Sequence, residues 1–159
     1  MNAVLKEKFE IQHERYSERL CEELLPLLKQ NWEASASYKA DITLKPDWPR
    51  YKKMDDMGMV LCLTARDEGR LVGYAIWFIV SSFNYESLKV AHGTAWYMAQ
   101  GYKGHGVKLL RRGERMLIEH GIRRFYWFVS PGSPLQELLK AFGYEPDELI
   151  MEKTIVSSN

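Results

Sequence analysis

Apolar positions change their spacing several times along the chain, and each change marks an element. Over residues 6–12, Phe9 and Ile11 alternate with charged or polar neighbours, which predicts a short edge strand. Ser17 can cap a helix, because Leu20, Leu24, Leu27 and Leu28 then recur at helical spacing towards Trp32, with Pro26 as a bend. Asp47 can cap a second, short helix that ends before Gly58. Residues 59–65 and 71–80 are near-continuous apolar runs joined through Asp67-Glu68-Gly69-Arg70, a hairpin pattern. A turn around Asn84-Tyr85-Glu86-Ser87 leads to another strand over residues 88–98.

The second half alternates strand and helix. Val107, Leu110 and Leu117, flanked by Leu109 and Met116, form the apolar stripe of a helix that Gly121 ends. Gly113 inside it costs about 1 kcal/mol relative to Ala by propensity, so close packing on a sheet is its expected reason. A buried strand over residues 125–129, a helix over residues 135–142 closed by Gly143, and a last strand over residues 149–155 complete the pattern. The expected architecture is a single α/β domain over residues 1–159, antiparallel in its first half.

Composition narrows the function. Lys and Arg number 22 against 21 Asp and Glu, so no overall field draws the chain to nucleic acid or an anionic membrane. The longest apolar run, residues 71–80, is far short of the about 20 residues that span a bilayer, and no secretory signal pattern opens the chain. A cytoplasmic protein is expected. The two cysteines, Cys21 and Cys62, sit in a predicted helix and strand, and His105 and His120 lack metal-ligand company, so no metal site is expected.

The informative feature is the order strand, Gly101-Tyr102-Lys103-Gly104-His105-Gly106, helix. Glycines allow a tight turn that presents successive N–H groups, and a helix start adds unpaired donors and a positive dipole end, an arrangement suited to pyrophosphate. A glycine-rich turn also occurs with no ligand. A dinucleotide fingerprint needs an early βαβ unit, and a nucleotide P-loop needs Gly-Lys-Ser/Thr; here a meander precedes the loop and Val107-Lys108 follows it.

These residues resemble the GNAT superfamily of N-acetyltransferases, in which Gln/Arg-x-x-Gly-x-Gly/Ala joins the fourth strand to the third helix. Gly101 stands where Gln or Arg is usual. Leu71-Val72-Gly73-Tyr74 is similar to the start of the family's third strand, and Ala141-Phe142-Gly143-Tyr144-Glu145 to its "Leu-Gly-Phe-Glu". Residues 38–48 look similar to GNAT-like proteins of bacteriophages. The resemblance implies a twisted mixed sheet of six or seven strands, splayed between the fourth and fifth, with helices on both faces. It also implies acetyl-CoA, or a short acyl-CoA, as cosubstrate, with Tyr97 and Met98 beside its arm and Lys103, Gly104, His105, Gly106 and Val107 around its phosphates. The implied reaction is direct acetyl transfer to an amine of a small molecule or a protein in a ternary complex. A homodimer is compatible with it, and an inactive acyl-CoA-binding or protein-interaction module is the alternative.

The family's acidic base and tyrosine acid have no counterpart: residues 90–98 hold no Asp or Glu, and Leu139 stands four before Gly143. His92 offers an imidazole for proton removal, with Thr94 on the same face at period two and Tyr85 and Glu86 on the preceding turn. Packing for His92 and solvation for the turn residues are the competing explanations. Ser130 and Tyr144 are further hydroxyls near the sheet's end. Arg111, Arg112 and Arg115 read as a solvated face, from which one arginine could reach a coenzyme phosphate. Trp77, Trp96 and Trp127 read as core or cleft wall.

Overall fold

The computed structural model describes residues 9–35 and 42–155. The chain divides into two compact units, Met1–Phe128 and Val129–Asn159. The first contains β1 (Phe9–His13), α1 (Glu18–Ser35), α2 (Trp48–Asp56), β2 (Val60–Asp67), β3 (Arg70–Ser81), β4 (Lys89–Met98), α3 (Gly106–Glu119) and β5 (Arg124–Trp127). The strands lie in the order β1-β2-β3-β4-β5; the first four run antiparallel and β5 is parallel to β4. Residues 6–8 of the expected first strand lie outside the described residues.

Local chemistry sets the boundaries. Ser17 Oγ accepts from Leu20 N at 3.1 Å and starts α1, and Asp47 Oδ1 accepts from Arg50 N at 3.2 Å and starts α2. Glu68 and Gly69 both take positive φ, 50° and 82°, the geometry of a two-residue hairpin turn whose twist matches its strands.

Helices cover the sheet on both sides, which is why Val60–Arg66 of β2 and Leu71–Trp77 of β3 are continuously buried instead of alternating. Leu20 and Leu24 of α1 join Cys62, Tyr74 and Ile76 in one core cluster, and Tyr51 of α2 packs on Phe78 with ring centroids 5.7 Å apart. On the other side α3 presses on β2 and β3. A Cβ on Gly113 would lie 2.2 Å from Trp77 Cη2, so the glycine is the condition for seating α3 on that fully buried indole. Burying a side chain of this kind is worth about 1.5–3 kcal/mol.

Two ion-pair groups tie the elements together. Arg66, 6% exposed, donates to Glu14 Oε2 at 2.8 Å, to Glu23 Oε2 at 2.5 Å and to Gly69 O at 2.8 Å. Asp55 accepts from Arg15 Nε at 2.8 Å and from Tyr16 N at 2.9 Å, which holds α2 to the turn between β1 and α1.

In the second unit, Ser133 Oγ accepts from Gln136 N at 3.2 Å and starts α4 (Pro134–Ala141), and Gly143 follows it at φ +87°. The strand expected over residues 149–155 does not form. Among the described residues those positions have no ladder partner, and Leu149 and Met151 are 90% and 88% exposed. A strand exists only through hydrogen bonds to a neighbouring strand, and apolar alternation cannot supply one. The sheet of the described residues therefore has five strands, not six or seven.

Candidate active site

β4 is bonded on both edges for only part of its length. β5 pairs with Val90 to Gly93, through Trp127, and no described strand accompanies β4 from Thr94 to Met98 on that side. Ala99 N donates to Val72 O at 2.8 Å, on the β3 side, so by strand alternation Met98 and Trp96 turn their N–H and C=O groups towards the unpaired edge. Pairing of β4 with β5 stops at Gly93 because β5 ends at Trp127.

The divergence point is packed on the α3 side. Trp127 lies across Gly93, where a Cβ would come within 2.2 Å of its ring, and meets Trp77 edge-on at 5.4 Å. Gly93 was not singled out in the sequence, although a glycine inside a strand signals close approach of another group. Gly73 works in the same way: a Cβ there would lie 2.3 Å from Met98 Sδ, so Met98 packs its side chain down on β3 while its backbone stays at the open edge.

Beyond β4 the chain turns tightly. Tyr102 N donates to Ala99 O at 3.0 Å with Gly101 at φ +88°, a 3-10 turn follows over Lys103–His105, and α3 begins at Gly106. His105 N and Gly106 N bond to Tyr102 O and Lys103 O. This leaves the N–H groups of Lys103 and Gly104 at the exposed head of the turn. Neither the turn nor α3 has a side-chain cap, in contrast to α1, α2 and α4. The uncapped donors and the helix dipole together favour an anion.

Gly104 and Gly106 of the loop have different jobs. A Cβ on Gly104 would meet nothing within 4 Å, so its side is open for an incoming group. A Cβ on Gly106 would lie 2.3 Å from Trp96 Cζ2, and Trp96 Nε1 donates to Gly106 O at 3.3 Å, so Gly106 serves the seating of α3 on β4. Two rings hold the loop from behind: His105 stacks on Phe9 at 4.3 Å, and Tyr102 Oη donates to Asp67 Oδ2 at 2.5 Å. The His105 side chain therefore points to β1, and Val107 is half-buried in the first turn of α3. Tyr97 lies on the opposite face from Met98, with its hydroxyl donating to Gln30 Oε1 of α1 at 3.0 Å.

The three candidate chemical residues separate. His92 is half-buried beside the divergence point, its ring stacked with Tyr126 at 5.3 Å and Phe128 at 5.8 Å. Thr94 lies two residues further along β4, where the ladder to β3 is interrupted. Ile76 pairs with Ala95 and Trp77 with Gly93, so Thr94 is the extra residue of a β-bulge, and its hydroxyl donates to Ile76 O at 3.3 Å. Tyr85, 66% exposed, lies in the connection before β4, at the opposite end of that strand from the glycine loop. Cys62 is buried in the core, and burial pushes its thiol up to about 12. Among the described residues no group of acidic, histidine and cysteine side chains could hold a metal ion, and no helix is long and apolar enough to cross a membrane.

The model of the Acetyltransferase (GNAT) family matches residues 15–144. No curated protein sequence matches the chain significantly. Among solved structures, an aminoglycoside acetyltransferase from an uncultured soil metagenomic sample, in complex with trehalose, is 13% identical with a TM-score of 0.70, over 97% of this chain and 99% of that one. Ribosomal-protein-alanine N-acetyltransferase from Brucella melitensis biovar Abortus 2308 is 18% identical with a TM-score of 0.69, over 92% and 99%. AAC(6')-Iy in complex with the bisubstrate analogue CoA-S-monomethyl-acetylneamine is 18% identical with a TM-score of 0.67, over 93% and 99%. At these identities the likeness is one of fold. The family model covers most of the chain, including the β4–loop–α3 unit, and the chain belongs to the GNAT family of acetyltransferases.

Proposed function

We propose that the chain transfers an acetyl group from acetyl-CoA to a primary amine by direct attack in a ternary complex. The observation that carries this reading is the unpaired edge of β4 running into an uncapped turn. The residues fit a coenzyme A thioester: the side of Gly104 is open, and the backbone groups of Trp96 and Met98 face the free edge. When bound, the coenzyme supplies the acetyl group in activated form. The N–H groups of Lys103 and Gly104, the Lys103 ammonium and the first turn of α3 through Val107 would hold its pyrophosphate. The contribution of His105 is through its backbone, because its ring is engaged with Phe9.

The acceptor nitrogen gives up two protons on the way from ammonium to amide, one before attack and one after it. The acceptor reaches the site as an ammonium, and His92 takes its proton directly or through water. The freed nitrogen forms the C–N bond to the acetyl carbon while the C–S bond breaks. The sulfur leaves with the bond's electron pair and takes up a proton that balances the second one lost by the nitrogen, so free thiol and amide are the products. Cys62 has no part in this, because a deeply buried thiol held in its protonated form is a poor nucleophile. Thr94 acts by fixing the bulge and Tyr85 has no role in the chemistry.

One observation favours a second reading. His92 is packed between two rings and β4 carries no carboxylate, as a coenzyme-binding or protein-interaction module without turnover would have it. Following thiol release from acetyl-CoA with pools of primary amines separates the two. An enzyme gives amine-dependent release, and His92→Ala lowers it more at neutral pH than at high pH, where free amine is abundant. Coenzyme binding without release on any amine pool would select the second reading.

A further inference from the structure

The two faces of the sheet differ at the point where β4 and β5 part, and the difference bears on the acceptor. On the α3 side the space is taken by Trp127 over Gly93, with Trp77 beneath it. An amine approaching the end of the open edge from that side meets packed indole. On the other side His92 stacks with its register partner Tyr126 and with Phe128, at interplanar angles of 30° and 26°. Phe128 is 56% exposed and its neighbours in the stack are only half-buried. The accessible approach therefore crosses ring faces.

Ring faces carry negative potential, so they attract both a further ring and an ammonium group. The cation position over Tyr126 is already held: the Arg124 guanidinium lies 5.9 Å above its centroid. That positive charge, on an exposed side chain, adds repulsion for every further ammonium group an acceptor carries. Phe128 remains as an open face for a flat apolar body. The His92 and Phe128 rings are 5.8 Å apart, a separation that a two-carbon arm between an amine and an aromatic ring can bridge.

We infer that the preferred acceptor is an arylalkylamine, its amine beside His92 and its ring on Phe128, and not a polycationic amine such as an amino sugar or polyamine. The inference rests on the acetyl-transfer reading. The transfer step is unchanged: the C–N bond forms, the C–S bond breaks, and the amine proton passes by way of His92 to solvent while the leaving sulfur is protonated.

The test compares phenethylamine and tryptamine with kanamycin and spermidine as acceptors for the intact protein, alongside calorimetric titration with acetyl-CoA. The aromatic monoamines are expected to give the higher kcat/KM by at least about tenfold, and Phe128→Ala to raise their KM by about tenfold with coenzyme affinity unchanged. Arg124→Gln should improve spermidine and leave phenethylamine unaffected. Equal or better turnover of kanamycin, spermidine or a peptide without aromatic residues overturns the inference, as does a Phe128→Ala protein with wild-type KM. Both of those results are read with acetyl-CoA bound, so they leave the transfer reading standing. Absence of acetyl-CoA binding in the wild type removes the transfer reading and this inference with it.

Discussion

Tyr102 reaches from the glycine loop to the β2–β3 hairpin: its hydroxyl donates to Asp67 Oδ2 at 2.5 Å and accepts from Arg70 Nη2 at 3.1 Å. The bond holds the backbone just ahead of Lys103 and Gly104, whose N–H groups would meet the coenzyme phosphates. Tyr102→Phe and Asp67→Ala should each weaken acetyl-CoA binding by about 1 kcal/mol, roughly fivefold. Because they remove the same bond, the double variant should bind about as well as either single one. Calorimetric titration of the three proteins checks this; losses that simply add would mean the two side chains act independently.

Gly113→Ala sets two effects against each other. Helix propensity favours alanine by about 1 kcal/mol, but the added Cβ would sit 2.2 Å from Trp77, inside the packed core. Overpacking of this kind typically costs about 1–3 kcal/mol. A net loss of stability in urea denaturation is expected. A gain would show that α3 can lift from the sheet at little cost.

Several of these relationships were visible in the residue pattern and others were not. The role of Gly113 followed from a helix-breaking residue inside an otherwise regular stripe, and the hairpin followed from Glu68-Gly69 between two apolar runs. The strand–turn–helix order was legible because glycines between a strand and a helix mark a tight turn. The bulge at Thr94 was not legible, because it depends on how β4 pairs with β3. The Arg66 cluster joins residues 14, 23 and 66, which only the fold brings together. Residues 149–155 carry a strand-like pattern, but among the described residues they pair with no strand.

The Arg66 cluster also makes stability depend on acid. Burial raises the Glu14 carboxyl, but hydrogen bonds from Arg66 and Thr64 and the charge of Arg66 outweigh it, so the net shift is downward from 4.5. The hydrogen bond from Arg66 lowers Glu23 likewise. Carboxyls lowered in the folded state add stability above their unfolded pKa, and that stability is lost as pH falls below about 4.5 through the folded values. Arg66→Met should cost about 1–3 kcal/mol near neutral pH, allowing for the partial exposure of both carboxylates. Its melting temperature should then fall less between pH 5 and pH 3 than that of the wild type, about the range in which carboxylates titrate. Parallel pH profiles for the two proteins would place the acid sensitivity elsewhere.

If the open edge of β4 and the head of the following turn bind a coenzyme A thioester, side chains added at the two glycines of that turn should act differently. A Cβ at Gly104 has free space in the protein alone, whereas one at Gly106 collides with Trp96. The decisive measurement is the thermal shift produced by acetyl-CoA in wild type and Gly104→Val. The account predicts a clear stabilisation of the wild type, a Gly104→Val protein with a near-wild-type melting temperature when free, and little or no stabilisation of that variant by the coenzyme. Equal stabilisation of both proteins, or none in the wild type, would contradict it.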